Sequence, residues 1–163
     1  MKDTIDIEKV YDAHSRRLYN ISLRINGDSA DAEEIMHDTL LQYWKVRKKD
    51  EIRDLPRWLT SVCVRKSIDR LREKSRWNLF LENYENPALE DAPDEEVELT
   101  AEVILKALSG LPGHYRAIVS LHLFEGFDYQ EIAHMTSIKE NTIRSLYMRG
   151  RKQLAEAIRQ SRI

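Results

Sequence analysis

The sequence is poor in cysteine, glycine and proline. Its single cysteine, Cys63, excludes an internal disulfide and leaves no thiolate cluster for zinc. Only 5 glycines and 4 prolines occur among 163 residues, and 33% of the residues are charged. Such a composition favours helices over sheets. We therefore predict an all-α protein without a metal site or a cofactor.

Long apolar runs are also missing. No stretch approaches the roughly 20 residues that a membrane-spanning helix needs, and we expect no signal peptide before the first polar helix. Enzyme signatures are equally scarce, since there is no phosphate-binding glycine loop, no G-x-S-x-G and no H-E-x-x-H. His14 and His122 lie on apolar stripes that are typical of core histidines. We expect a cytoplasmic protein that is not an enzyme, has no catalytic residues and does not insert into a membrane.

The net charge of −2 conceals an uneven distribution of acidic and basic residues along the chain. Residues 1–76 hold 17 Lys/Arg against 14 Asp/Glu, and residues 100–163 hold 9 against 6. Residues 77–99 hold 8 acidic residues and no basic one. This pattern predicts two small helical domains, an N-terminal helical bundle and a C-terminal domain, joined by an acidic linker. Two basic modules of this kind suit binding to nucleic acid.

Residues 128–154 are typical of a helix-turn-helix. Asp128 is available to cap a first short helix, and a break follows at residues 136–138. The second helix opens near Lys139 with an apolar row at three- and four-residue steps, in which Gly150 would let another helix approach closely. The opposite face presents donors for phosphates and base edges. Its members are Lys139, Asn141, Thr142, Arg144, Ser145, Leu146, Arg149 and Arg151. The alternative is a packed helical hairpin with a solvated basic face.

The first domain is predicted to contain at least three helices, and the second of these has a mixed face. We expect that helix to start at Asp31, with Glu34 completing a capping box. Its outer face places Leu41 among acids and amides, which suggests a docking surface, although a solvated face is the commoner explanation.

A basic tract with aromatic residues follows. Residues 45–76 carry 12 basic and 5 acidic residues together with Trp44 and Trp58, and Trp77 follows at once. Cations neutralise phosphates and aromatic rings stack unpaired bases, so the tract suits an opened nucleic-acid strand. Core packing is the alternative for each tryptophan, and we favour it for Trp58.

Three segments together resemble bacterial RNA polymerase sigma factors. WLTSVCVRKSIDRLREKSR, residues 58–76, is similar to the family pattern WL-x-x-I-A-x-N-x-x-x-D-x-x-R. DAEEIMHDTLLQYWK, residues 31–45, is similar to D-A-E-D-L-x-Q-E-x-F-L-x-x-W. LPGHYRAIVSLHLFEGFDYQEIA and TIRSLYMRGRKQL resemble the domain that reads the upstream promoter element. The two-domain plan resembles the extracytoplasmic-function (ECF) group.

The resemblance implies a division of labour. A region 2-like domain, residues 1–76, would dock on the clamp of the polymerase's largest subunit and melt the near-start element. A region 4-like domain, residues 100–163, would read the upstream element and meet the flap of the second largest subunit, with residues 77–99 as the linker. Partners would be core RNA polymerase, promoter DNA and an anti-sigma factor. Residues on the docking segment are Asp31, Glu34, His37, Asp38, Leu41 and Gln42. Residues on the near-start DNA surface are Arg47, Lys48, Lys49, Arg53, Arg57, Arg65, Lys66, Arg70 and Arg72, of which residues 47–54 would form the base-capturing loop.

Several residues depart from the family pattern. His37 replaces a glutamine, and Arg65 replaces an asparagine, which favours phosphate binding over base reading. Ser137 replaces a glycine in the turn and would be strained at positive φ. Leu146 replaces a basic residue and could touch a thymine methyl. The alternative function is a stand-alone helix-turn-helix transcriptional regulator whose N-terminal domain senses a ligand or dimerises.

Overall fold

A computed structural model describes residues 2–74, 77–85 and 100–161, with side chains from Ile7 onward. Within these ranges the regular structure is helical and no strand occurs, so the all-α prediction is confirmed. The chain divides into two compact units, residues 1–74 and 75–163, which are taken separately below.

The first unit is a three-helix bundle. Its elements are α1 (Lys2–Asn26), α2 (Ser29–Lys45), a 3₁₀ turn (Lys49–Glu51) and α3 (Leu55–Lys74). The second helix begins two residues earlier than predicted, because Asp28 rather than Asp31 is its N-cap. The Asp28 carboxylate accepts from the backbone N–H of Asp31 at 3.0 Å. Asp54 precedes the third helix, and its carboxylate accepts from the backbone N–H of Arg57 at 3.2 Å.

Small polar residues bring α1 and α3 together inside this bundle. Ser67 Oγ lies 3.0 Å from Ser22 Oγ, and Cys63 Sγ donates to the carbonyl of Leu18 at 3.4 Å. These groups are buried, so their mutual hydrogen bonds offset the cost of removing them from water. All three helices pack on one another around an apolar core, which leaves the outer faces of α2 and α3 to carry function.

The second unit is built on its last helix. Its elements are α4 (Trp77–Asn83), α5 (Ala101–Ser109), α6 (Gly113–Val119), a π-helical turn (Ser120–Phe124), α7 (Tyr129–Thr136) and α8 (Glu140–Gln160). The long α8 packs against α5, α6 and α7. Gly150 makes the contact with α6 possible, since a Cβ there would lie 2.7 Å from Val119 Cγ2 and 3.3 Å from Tyr115 Cβ. The predicted close approach at Gly150 is confirmed.

The beginning of the expected acidic linker is structured. Residues 77–83 form α4, and Trp77 is buried. Phe80 and Tyr84 contact side chains of α6 and α8, so this part of residues 77–99 is not a solvated tether. The aromatic residues of this segment account for its packing. They are not evident from the overall composition of residues 77–99, in which acidic residues dominate. The acidic remainder, residues 86–99, lies outside the described ranges.

Candidate nucleic-acid and partner interfaces

The helix-turn-helix lies where the sequence predicts it. Asp128 and Glu131 form a capping box at the start of α7: the Asp128 carboxylate accepts from Glu131 N at 2.8 Å, and the Glu131 carboxylate accepts from Asp128 N at 3.3 Å. Ser137 ends α7 in the left-handed region, at φ 57° and ψ 31°. Ser137 therefore has the positive φ at which strain is expected for a residue other than glycine.

Most of the residues predicted to face DNA on α8 are accessible. Five are exposed and Thr142 is half-buried; the exposed residues are Lys139, Asn141, Arg144, Arg149 and Arg151. Leu146 and Ser145 are buried, so their predicted exposure is wrong. Leu146 lies one turn from Ile143 and from Gly150, and it joins the inward row that fixes α8. The Ser145 hydroxyl meets the hydroxyl of Tyr84, which follows α4.

Aromatic rings fix α7 on α8 beneath this basic face. His122 stacks on Tyr129 with ring centroids 4.7 Å apart and meets Tyr147 edge-on at 4.3 Å. The carbonyl of Phe127 lies 2.7 Å from His122 Nδ1, so the ring donates from this nitrogen. The Arg144 guanidinium lies 5.5 Å from the centre of the Tyr129 ring. This cation–π contact orients Arg144 at the edge of the basic face.

A buried carboxylate organises the basic side of the first unit. Asp31 accepts from Arg70 Nη1 at 2.8 Å and also from Lys74 Nζ, while Glu34 accepts from Arg70 Nη2 at 2.9 Å. The Lys74 hydrogen bond, followed by the one from Arg70, lowers the pKa of Asp31 despite its burial. Arg70 likewise lowers the pKa of Glu34.

This network corrects two predictions. Asp31 was expected to face the polymerase, but its side chain is 8% exposed and both of its oxygens bind cations of α3. Arg70 was expected to face DNA, but its guanidinium joins two carboxylates of α2. The physical reason is that α2 and α3 pack side by side, so oppositely charged residues on their facing edges neutralise each other.

The other cations of the near-start surface differ in their surroundings. The exposed ones are Arg47, Lys48, Arg53, Arg57 and Arg65, and the half-buried ones are Lys49, Lys66 and Arg72. Lys49 donates to the carbonyls of Trp44 and Val46 at 3.2 and 3.1 Å, and its ammonium lies 5.6 Å from the centre of the Tyr43 ring. Lys49 therefore closes the end of α2, a structural role that its predicted place on the DNA surface did not include.

An open cavity of about 480 Å³ lies beside this turn. Its lining residues are Val46, Lys48, Glu51, Ile52, Arg53, Asp54, Arg57 and Trp58. Trp58 is half-buried and meets Tyr43 edge-on at 6.1 Å, so it both packs and lines the cavity. Aliphatic and aromatic walls with cations at the rim can hold a flat heterocycle next to its phosphates.

The outer face of α2 carries an apolar stripe. Leu41 and Trp44 are 44% and 52% exposed, and His37 lies one turn before Leu41. Tyr11 of α1 stacks on His37 with centroids 6.1 Å apart, and is itself 40% exposed. Among the predicted docking residues Glu34, His37, Leu41 and Gln42 are exposed and Asp38 is half-buried. The sequence reading missed the contribution of Tyr11 and Trp44 to this stripe, although the steps from His37 to Leu41 and Trp44 could have signalled it.

In the described ranges, no group of three or more His, Cys, Asp or Glu side chains could hold a metal ion. None of the helices described is long and apolar enough to cross a bilayer.

Family comparisons match both units. Residues 10–76 match the family described as sigma-70 region 2, and residues 101–154 match sigma-70, region 4. The chain is 31% identical over 140 residues to the ECF RNA polymerase sigma factor SigF of Caulobacter vibrioides, covering 85% of this chain and 76% of that protein. It is 25% identical over 152 residues to the ECF RNA polymerase sigma factor SigM of Bacillus subtilis, covering 91% and 92%.

A further relative is longer than this chain. Against the ECF RNA polymerase sigma factor SigE of Mycolicibacterium smegmatis, the chain is 28% identical over 148 residues and spans 58% of that protein's length. The fold resembles a solved structure of the sigma factor RpoE in complex with the anti-sigma factor NepR from Bartonella quintana. The TM-score is 0.61 at 22% identity, covering 94% of this chain and 97% of that one. The alternative of a stand-alone regulator gains no support from these matches.

Proposed function

The chain belongs to the sigma-70 family, in its ECF group of RNA polymerase sigma factors, and on this premise we propose how its two units take part in promoter-directed transcription initiation. Residues 1–76 dock on core polymerase and open the near-start element, and residues 100–163 read the upstream element. The protein works in the cytoplasm, where core polymerase and promoter DNA are its partners. The observation that carries this proposal is the exposed apolar stripe on α2 beside a separate basic surface.

Docking uses the outer face of α2. Leu41 and Trp44 supply apolar area, and Asp38 and Gln42 supply a polar rim. Large apolar side chains that stay exposed next to polar groups mark protein interfaces rather than solvated helices. The contact is made with the clamp of the largest subunit, while the second unit meets the flap of the second largest. An anti-sigma factor that covers the same stripe would keep the protein from the polymerase.

Pull-down with purified core polymerase tests the docking face. Leu41→Glu and Asp38→Arg should each lose core binding while far-UV circular dichroism stays unchanged. Asp69→Arg is the matched control, because it reverses the charge of an exposed residue on α3, outside the docking helix. Retention of core by both docking variants would refute this assignment.

The cavity beside the 3₁₀ turn receives an unstacked base of the opened strand. Support comes from the Trp58 ring in its wall and from Lys48, Arg53 and Arg57 at its lining. A base that leaves the duplex loses stacking, and an aromatic wall with nearby cations compensates for that loss.

Single-stranded oligonucleotides test the cavity. A series with one abasic site at each successive position should show one position where losing the base weakens binding to the holoenzyme by about tenfold, in the range expected for one stacked base. In Arg53→Ala holoenzyme, removal of the base at that position should weaken binding less than it does in wild type. Glu33→Gln holoenzyme should show the same dependence on the abasic position as wild type. A profile without any sensitive position would reject base capture by the cavity.

Upstream reading belongs to α8. The exposed donors for phosphates and base edges are Asn141, Arg144, Arg149 and Arg151, with Lys139 at the helix start. Ser145 and Leu146 are removed from the set because they are buried.

A further inference from the structure

Ser145 is buried on the side of α8 where burial is least expected. At about 100° per residue, Ser145 lies about 180° from Leu154, a member of the inward row. Asn141 and Arg149, one turn to either side on the same face, are exposed. Ser145 itself is 3% exposed. Its cover must therefore come from an element outside the contacts that hold the inward row.

That cover is α4 and the tyrosine that follows it. Tyr84 Oη lies 2.7 Å from Ser145 Oγ. One turn earlier, Phe80 stacks on His114 with ring centroids 3.4 Å apart and meets Tyr115 edge-on at 5.9 Å. The segment formed by α4 and Tyr84 is thus anchored at two points. Phe80 packs on the aromatic side chains of α6, and Tyr84 meets the Ser145 hydroxyl of α8.

The segment that contains α4 and Tyr84 is acidic. Residues 77–85 contain Glu82 and Glu85 and no basic residue, and both carboxylates are exposed. Arg149 is close by: burial raises the pKa of Tyr115, which contacts Phe80, and the Arg149 guanidinium partly opposes that rise.

The geometry points to α4 as an autoinhibitory strap that blocks α8 from the major groove until it is released. The groove is about 12 Å wide, and one α-helix with its side chains is about 10–12 Å across. Phe80 holds α4 on α6, and Tyr84, just after α4, lies against the outward face of α8 at Ser145. This added bulk leaves no room for α8 to enter the groove. This inference rests on the proposed function, because it takes α8 as the reading helix.

Strap closure lowers the apparent affinity for DNA by the fraction of molecules that are open. The Tyr84–Ser145 hydrogen bond is one of two anchors, so removing it shifts the population without unfolding the unit. Removing the Phe80 ring takes away the larger anchor, because stacking and area burial are lost together.

Fluorescence anisotropy of the full chain with a labelled 30-base-pair duplex pool of random sequence, at low salt, tests the strap. Tyr84→Phe should bind about fivefold more tightly than wild type, as expected for loss of one hydrogen bond, and Phe80→Ala more tightly still. Leu79→Ala should match wild type, since Leu79 is 50% exposed on the same helix. Unchanged affinity in both Tyr84→Phe and Phe80→Ala would overturn the strap.

Hydrogen exchange gives a second readout that does not depend on variants. When the duplex pool is added, amides of α4 should exchange faster and amides of the first turns of α8 more slowly. Slower exchange in α4 would overturn the inference, because it would make α4 part of the DNA-bound surface. Arg149→Ala distinguishes an error in the proposed reading helix from an error in the strap alone. If it leaves DNA affinity at the wild-type value, the proposed reading helix is wrong; if it weakens binding while the strap variants do nothing, only the strap is wrong.

Discussion

Arg70 Nη1 donates to Asp31 Oδ1 at 2.8 Å, and this pair links the helix expected to hold DNA to the helix expected to hold polymerase. We predict that Asp31→Asn destabilises the first unit by about 1–3 kcal/mol, because Arg70 and Lys74 lose a buried partner. Hydrogen exchange of peptides from α2 and α3 in the full chain measures the change.

The pH dependence of the same variant provides its control. The pKa of Asp31 is lower in the folded chain than in the unfolded one, so its contribution is complete above the unfolded value and is lost as pH falls through the folded value. Asp31→Asn should remove this part of the acid sensitivity, whereas Glu33→Gln, an exposed change two residues away, should keep it. Equal acid profiles for wild type and Asp31→Asn would contradict the assignment.

Gly150→Ala should lower the stability of the second unit by about 1–2 kcal/mol. The added methyl would meet Val119 Cγ2 at 2.7 Å, a β-branched side chain that cannot rotate away freely, and this crowding outweighs the better helix propensity of alanine. Thermal unfolding of the full chain measures this loss of stability. Adding Val119→Ala should make the combined loss less than additive, and Gly110→Ala, which would meet only ordinary contacts, should be neutral.

Replacements at Ser137 should follow the strain of its left-handed conformation. At φ 57° glycine is unstrained and valine is strongly disfavoured, so stability should rise in the order valine, serine, glycine. We expect Ser137→Gly to gain about 0.5–1 kcal/mol, since the side chain is exposed and packs little. Denaturant unfolding of the three proteins gives the order, and a glycine variant less stable than wild type would count against strain at the turn.

His114 should make the second unit acid-sensitive. Burial lowers its pKa to about 4, below its ordinary value near 6.5, so the unfolded chain takes up a proton more readily than the folded one. Stability from this residue is complete above about pH 6.5 and is lost as pH falls towards 4. His114→Phe keeps a ring against Phe80 and should reduce the dependence of the free energy of unfolding on pH in that window. The exposed His134, changed to glutamine, should leave the slope as it is.

Arg144→Ala and Arg149→Ala should each weaken binding of the upstream element by about 1–3 kcal/mol where a base edge is contacted. Footprinting of the holoenzyme on a promoter selected from a genomic library measures the loss. Arg159→Ala serves as a control, because this exposed arginine lies in the last turn of α8, far from its N-terminal reading residues. Unchanged promoter occupancy in both reading variants would remove α8 from its assigned role.

Sequence periodicity was enough for the helices and for the turn between α7 and α8. The inward row through Ile143 and Gly150 follows from three- and four-residue steps, and an Asp cap was predictable at residue 128. Leu146 was misplaced because it lies at the edge of that row, where packing by neighbouring elements decides burial. The aromatic anchors of α4 were hidden by the acidity of the segment that contains them.

The sequence did not show which charged residues, distant along the chain, would form ion pairs. Arg70 and Asp31 are 39 residues apart, and a basic stripe on one helix says nothing about which acids the next helix brings to it. Lys49 was counted as a DNA contact for a different, local reason: its carbonyl partners, three and five residues earlier, come within reach only through the backbone geometry of the turn after α2. Tertiary packing, not composition, decides which charges remain for a ligand.

The neutralised Arg70 also affects how salt will act on this protein. A cation that meets a phosphate displaces condensed counterions. Each such contact makes the slope of log affinity against log salt concentration more negative, by about 0.9 on duplex DNA and about 0.7 on a single strand. Arg70 and Lys74 already share a carboxylate within the bundle and displace none. The slope measured for opened promoter DNA should therefore correspond to fewer phosphates than the 12 basic residues of the 45–76 tract suggest.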